Sequence, residues 1–429
     1  MTTPAREQRY RRSGELLARA RRVIPGGVWG HNRFPAFLSH GNYPYFASRG
    51  SGSRLFDVDG HEYIDYLCGY GAMVNGFANA NIDAAAAARA SAGDCLDLPT
   101  DVSVELAEHL CALVSGVDWC AFGKNGSDAV STAVLIARAH TGRRRIICIR
   151  NAYHGSHFWC NWCNPGTGRP IADADAVLTV SWNDVDELTA AFAAHGHEIA
   201  AIVATPFHHP IAAEAVMPEP GWWATVERLC SDFGSLLAVD DVRTGYRLDL
   251  SGSHVFFGFS PDLVCQSKAL ANTHPLSTVL GTRRLRDAAD SVFAAGTFWS
   301  ASAPMAAALE NLRQLEQGNG VQRMWELGAQ LTNGLVDRAA RAGFALRVTG
   351  AVTMPTVTFV DDEQFEKMSC FAEAMVERGS LVHPSHNWFV SAAHTSADIA
   401  TTLDHARDVF AMMASSYQTQ APAPTLGTS

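Results

Sequence analysis

No apolar run in the chain is as long as the roughly 18 residues that a membrane-spanning helix needs, so no spanning segment is expected. The N-terminus, Met1-Thr2-Thr3-Pro4-Ala5-Arg6, lacks an apolar stretch and leads into an Arg-rich helical pattern, so no signal peptide is read there. Positive charge is in deficit: 33 Lys and Arg stand against 43 Asp and Glu, a formal net charge of −10 that argues against nucleic acid as a partner. The same balance mildly favours a cationic substrate, although a solvated acidic surface explains it as simply. Charged residues are only 18% of the chain and hydrophobic ones 47%, which excludes a disordered polyelectrolyte and describes an ordinary folded domain. Internal repeats are absent as well. The 10 cysteines, with no secretory signal beside them, are expected as reduced thiols in a cytoplasmic protein.

What is there is an alternation. Strand-like apolar runs at Ile146–Ile149, Ala200–Thr205, Leu236–Asp241, Leu263–Gln266 and Ser277–Gly281 are separated by helical patterns near 127–142, 185–195 and 222–233. That order predicts a parallel sheet with crossover helices, and strands apolar at every position predict burial on both faces. Residues 6–22 predict one Arg-rich helix stopped at Pro25-Gly26-Gly27, and long helical patterns follow residue 303. The last dozen residues are rich in Pro, Ala and Thr and are expected to be disordered.

Lys268 follows the apolar run Leu263-Val264-Cys265-Gln266, and the run Leu236-Leu237-Ala238-Val239 ends in Asp240-Asp241. A lysine closing one buried strand and a carboxylate closing another can hold pyridoxal phosphate. The amine attaches the cofactor as a Schiff base and the acid keeps the pyridine nitrogen protonated. Asp240 falls at the C-terminal end of its strand, where open α/β sheets bind ligands. Strand alternation turns Asp241 to the other side; capping of the next turn is an alternative reading for either acid, and more so for Asp241. The freed lysine can also shuttle a proton, provided burial or neighbouring positive charge lowers its ordinary value near 10.4. Gly123-Lys124-Asn125-Gly126-Ser127-Asp128 is a Gly-rich turn opening a helix, with Ser127 at or near the N-cap and free N–H groups for a phosphate. Val242 and Tyr153 are candidates for the two faces of the cofactor ring, although each taken alone is more often plain core.

Together these segments resemble the class III, fold-type I pyridoxal phosphate-dependent aminotransferases, most closely the glutamate-1-semialdehyde aminomutase branch, from about residue 20 to 412. The resemblance rests on Ile24-Pro25-Gly26-Gly27-Val28, Leu55-Phe56-Asp57-Val58-Asp59-Gly60, Asn125-Gly126-Ser127-Asp128-Ala129-Val130 and Tyr153-His154-Gly155. It continues through Val239-Asp240-Asp241-Val242-Arg243-Thr244-Gly245-Tyr246-Arg247, Ser267-Lys268-Ala269-Leu270, Ala295-Gly296-Thr297 and Ser391-Ala392-Ala393-His394-Thr395. It implies an α/β large domain with a mostly parallel sheet at 66–310. A smaller α+β domain would be built from 1–65 and 311–415, with a disordered tail at 416–429. It implies Lys268 as the Schiff-base lysine and Asp240 as the pyridine-nitrogen partner. Gly126 and Ser127 would hold the phosphate, Tyr153 the ring, and Thr297 would be lent by the other subunit of a homodimer.

Departures from the family pattern bear on substrate. Thr205-Pro206 stands where the family shows Glu-Pro, and Asp241 replaces a longer acid. Ala271-Asn272-Thr273-His274 replaces a glycine-rich run, and Pro384-Ser385-His386-Asn387-Trp388-Phe389 lacks the acid that follows Pro-Ser in the aminomutase branch. Arg33 falls where that branch binds a substrate carboxylate, but between different flanks. Trp29, His31, Arg33, Tyr70, His157, Cys160 and Trp162 are the substrate-binding candidates. His154, His157, Cys160 and Cys163, spaced by threes, look like a zinc site when taken alone. The family segment already accounts for His154, so pocket lining is the reading kept and no metal is expected. Cys265 reads as a buried strand cysteine. The expected activity is amino transfer on a cationic, hydroxylated small molecule such as an aminoglycoside or amino sugar. An epimerase or aminomutase on the same cofactor is the alternative, with Tyr153, His157, Cys160 or His386 as proton donor.

Overall fold

The structure, a computed structural model, describes residues 8–30, 43–157, 159–160, 174–210 and 212–419. Its centre is a seven-stranded sheet. In chain order the strands are β1 (Trp119–Gly123), β2 (Arg145–Ile149), β3 (Val177–Val180), β4 (Ile199–Ala204), β5 (Leu236–Asp240), β6 (Leu263–Gln266) and β7 (Ser277–Gly281). Their spatial order is β1-β7-β6-β5-β4-β2-β3. All five expected strands are present within a residue or two. β1 and β3, whose central positions are half-buried, are two further strands that the sequence reading did not assign. β6, β5, β4, β2 and β3 run parallel, whereas β7 is antiparallel to both β6 and β1. The expectation of a parallel strand at Ser277–Gly281 is therefore corrected in direction. Only ten residues separate β6 from β7, too few for the crossover that a parallel connection requires.

β4 and β5 are buried at every position, and the burial is two-sided. Leu236 and Ala238 pack into one apolar cluster with Ala201, Val203 and helix α1 (Gly126–Thr141), whereas Leu237 and Val239 pack into another with Ile202, Trp222 and Val226. α1 lies across β4, β5, β6 and β7. Continuing the alternation, Asp240 emerges on the α1 face, beside the start of that helix. The expected helices at 185–195 and 222–233 occupy Val185–His195 and Trp222–Phe233.

A second, four-stranded sheet joins Ala47–Ser51, Arg54–Asp57 and Glu62–Asp65 to Ser380–Leu381, so segments from both ends of the chain share it. Behind it a separate core gathers Ile64 and Tyr66 with Leu327, Leu331, Phe371 and Phe410. The expected helix at 6–22 occupies Arg11–Ala20, with Ser13, Leu17 and Ala20 facing inward. Helix Ser302–Gln317 runs unbroken through residue 310. Helix Ser396–Thr419 takes in the first residues of the expected tail, because the helical pattern there meets no Pro or Gly until Pro422. Residues 420–429 lie outside the described residues. Among the described residues no helix is long and apolar enough to cross a membrane.

Candidate active site

The C-terminal ends of β1, β2, β4, β5 and β6 converge on one cavity of about 730 Å³. Its lining includes Asn125, Gly126 and Ser127 after β1, Tyr153 and His154 after β2, Thr205 and His209 after β4, Asp240, Val242 and Arg243 at β5, and Ser267 and Lys268 after β6. Residues that the sequence separates by up to 143 positions thus meet because each ends or follows a strand of one sheet.

Lys268 stands at φ +49, in the left-handed region that a non-glycine side chain enters at a cost. Such a turn aims its side chain from the sheet edge into the cavity. Burial pulls its amine down from 10.5 to about 7; the Arg243 charge adds to this and Asp240 opposes it. At neutral pH a large share of this amine is uncharged, the state that can attack a carbonyl or accept a proton.

Asp240 is buried and held at both oxygens. His154 Nδ1 donates to Oδ2 at 2.8 Å and the Val242 amide to Oδ1 at 3.1 Å. His154 is itself buried and stacked beside Trp159 at 6.2 Å. The sequence reading absorbed His154 as part of a segment and missed this contact, which joins residues 86 positions apart. Asp241 points away, as alternation required. Its carboxylate accepts from Thr244 Oγ1 at 2.5 Å, from the Ser253 amide at 3.2 Å and from the Ser253 hydroxyl, and it does not line the cavity.

The turn into α1 has a cap different from the one expected. Asn125 is the N-cap with extended backbone, and the Asp128 carboxylate reaches back to the amides of Asn125 (2.9 Å) and Lys124 (3.0 Å). Ser127 therefore lies inside the first turn, where its amide has no intrahelical acceptor. Its hydroxyl accepts from the Ser156 amide at 3.1 Å. Two glycines make the cradle. A Cβ on Gly126 would come within 2.8 Å of Val242 Cγ1, and one on Gly155, at φ +112, within 2.3 Å of Ser127 Oγ. An N-terminal helix turn with close glycines, a buried carboxylate and a buried lysine that titrates near 7 is a donor set that fits pyridoxal phosphate.

Among the substrate candidates, Trp29 and His157 line the cavity, Trp29 as an exposed residue. His157 Nδ1 and Ser131 Oγ are 2.6 Å apart. Cys160 and Tyr70 are not among the lining residues. Cys160 is buried behind the site, its thiol donating to the His154 carbonyl, and Tyr70 meets the His386 ring edge-on at 5.3 Å. His31, Arg33 and Trp162 lie outside the described residues, as does Cys163. Thr297 is exposed on the surface, its carbonyl accepting from the Cys95 thiol, and does not line the cavity of its own chain. Among the described residues no cluster of His, Cys, Asp and Glu is placed to hold a metal.

Two residues that sequence reasoning left without a role also line the cavity, Arg243 and His209. Both are buried, and burial, followed by the Arg243 charge, holds His209 well below the usual imidazole range and so neutral. The available signal for Arg243 was its place three residues beyond the acid that ends a buried strand.

The sequence profile of the aminotransferase class-III family matches residues 38–413. The chain belongs to that family. The aminopentol aminotransferase of Sphingopyxis macrogoltabida is 40% identical over 416 residues, covering 97% of each chain. A glutamate-1-semialdehyde 2,1-aminomutase of Desulfitobacterium hafniense is 32% identical, covering 93% of this chain and 97% of that one. The pyridoxal phosphate-bound structure of the FumI protein of Sphingopyxis sp. MTA144 superposes with a TM-score of 0.91 at 39% identity, over 96% of this chain and 99% of that one. This aminotransferase is accordingly a pyridoxal phosphate-dependent enzyme of the fold-type I class.

Proposed function

We propose that this aminotransferase removes the amino group of a hydroxylated primary amine, of the amino-sugar or amino-polyol kind, and passes it to a carbonyl acceptor. Bound pyridoxal phosphate supplies the electron sink that lets the carbon bearing the nitrogen lose its proton. Lys268 holds the cofactor and, once released by the incoming amine, takes that proton and returns it; an amine titrating near 7 suits both directions. Asp240 would place its carboxylate at the ring nitrogen, and His154 fixes that carboxylate in place by its 2.8 Å bond. The amides of Gly126 and Ser127 with the Ser127 hydroxyl would receive the phosphate, and Val242 and Tyr153 would bound the ring.

The observation that carries the substrate class is the character of the lining. Trp29 and Tyr153 offer aromatic faces, and Thr205, His157 and His209 offer polar groups suited to hydroxyls. The carboxylates there, Asp128 and Asp240, are both committed, one to the helix cap and one to His154. Neither is spare for a second substrate cation, so a monoamine fits better than a polycationic aminoglycoside. The printed name of the Sphingopyxis macrogoltabida relative, an aminopentol aminotransferase, supports the hydroxylated amine. The expected homodimer has support in a surface where Leu98 is 76% exposed, Phe293 95% and Phe298 66%, close in sequence to Cys95 and Thr297.

Single-turnover spectroscopy tests the substrate class. The cofactor-loaded enzyme is mixed with amino-polyols, glucosamine, kanamycin and α-amino acids in turn, and the visible band is followed. The hydroxylated monoamines should bleach it and leave the pyridoxamine spectrum. Bleaching by α-amino acids with no response to any hydroxylated amine would overturn the proposal.

A further inference from the structure

Among the described residues two buried arginines, Arg243 and Arg247, lie in the segment after β5, and they spend their hydrogen bonds differently. Arg247 is fully buried and donates through Nη1 to the Val390 carbonyl and through Nη2 to the carbonyls of Gly71 and Met73. It is a strut. Arg243 is 7% exposed and lines the cavity, yet both its hydrogen bonds leave from Nη1, to the His209 carbonyl at 3.3 Å and Asn387 Oδ1 at 3.1 Å. Both acceptors are neutral. Nη2 and Nε have no protein acceptor among the described residues, and no carboxylate lies within ion-pair distance. Asp240 is near enough to be felt but is held by His154.

A guanidinium withdrawn from water without a counter-charge is costly, and a planar carboxylate matches its free edge by two parallel N–H···O bonds. We propose that Arg243 is the residue that binds the carboxylate of an α-keto acid acceptor, clamping it beside Lys268. This rests on the aminotransferase reading above and names the acceptor class for the same site. The Asn387 and His209 bonds fix the Nη1 corner so that the Nη2–Nε edge is presented to the cavity. Asn387 lies in the segment where the acid expected from the aminomutase branch is missing. Asn387 gives the guanidinium a neutral acceptor and no counter-charge. The neutral imidazoles of His209 and His386 and the Lys268 amine, all within electrostatic reach of Arg243, add no negative charge that would compete with the ligand.

The test compares an acid with its neutral ester. In the pyridoxamine-loaded enzyme, kcat/KM is measured for pyruvate and for methyl pyruvate, and binding of propionate and propionamide is measured by calorimetry on the cofactor-loaded enzyme. Arg243→Gln should lower the pyruvate-to-ester ratio on the order of 10- to 100-fold, the size of a charged hydrogen-bonded contact. It should weaken propionate but not propionamide. Arg243→Lys, which keeps charge but not the planar fork, should fall between, and serves if Arg243→Gln does not fold. A role confined to packing or to the charge on Lys268 would slow acid and ester alike. An unchanged ratio with unchanged propionate binding overturns the proposal. Should the wild-type enzyme convert neither acid nor ester, the transfer reading fails, and the propionate titration still decides for or against Arg243.

Discussion

Replacing Lys268 by Met in the cofactor-free protein should make it more stable at pH 7, and the gain should fade as pH rises. The amine titrates near 10.5 when unfolded and near 7 in the fold, chiefly because burial penalises its charge. Between those values the unfolded chain carries a proton that the native one lacks, so wild-type stability rises with pH across that window. Below about 7 both states carry it and the penalty is complete. At about 1.36 kcal/mol per pH unit the fall sets a ceiling of about 5 kcal/mol. Lys268 keeps part of its surface open to the cavity, so screening reduces the expectation to about 2–4 kcal/mol. Methionine matches the stem and has no charge to bury. The assay is urea unfolding of both cofactor-free proteins, followed by tryptophan fluorescence at equal concentration, at pH 7 and again near pH 9.5. The variant should lead at pH 7 and lose most of that lead at the higher pH. A constant difference, or a wild type that is the more stable at pH 7, would refute the reasoning.

Asp240→Asn keeps the shape but removes the carboxylate charge and leaves one amide oxygen for two donors, His154 Nδ1 and the Val242 amide. It should lower kcat on the order of 100-fold or more, read in steady-state transfer, while the cofactor stays bound. Gly155→Ala places a methyl 2.3 Å from Ser127 Oγ at a left-handed φ of +112, so it should weaken cofactor retention about 10- to 100-fold in equilibrium dialysis. An aminomutase or epimerase outcome predicts solvent deuterium entering the amine-bearing carbon with no net nitrogen transfer. Amino transfer predicts a stoichiometric new amine on the acceptor, and mass spectrometry separates the two.

The core of the fold was legible because its strands are apolar at every position. Leu236–Val239 and Ala200–Ala204 could only be buried on both faces, and the acid and lysine ending such runs pointed to a ligand edge. β1 and β3 went unread although Trp119–Phe122 and Val177–Val180 are largely apolar, strand-favouring runs; each run is four residues long and matches a buried helix segment as well as a strand. The direction of β7 turned on the length of a connection. Ala271-Asn272-Thr273-His274 departs from a glycine-rich run, yet the backbone keeps positive φ at Asn272 (+44) and Thr273 (+81). Asn272 sustains this because its side chain accepts from the amides of Val74 and Asn75 and donates to the Gly76 carbonyl. No local pattern could announce His154 against Asp240 or Arg243 beside Lys268, because both contacts are made by tertiary convergence of strand ends.

The chain has three lysines, Lys124, Lys268 and Lys367, which makes the central assignment open to one direct measurement. The cofactor-loaded enzyme is reduced with borohydride, digested and mapped by mass spectrometry. The pyridoxyl mass should be found on the peptide carrying Lys268. Its appearance on Lys124 or Lys367 instead, or its absence from all three, would contradict the account.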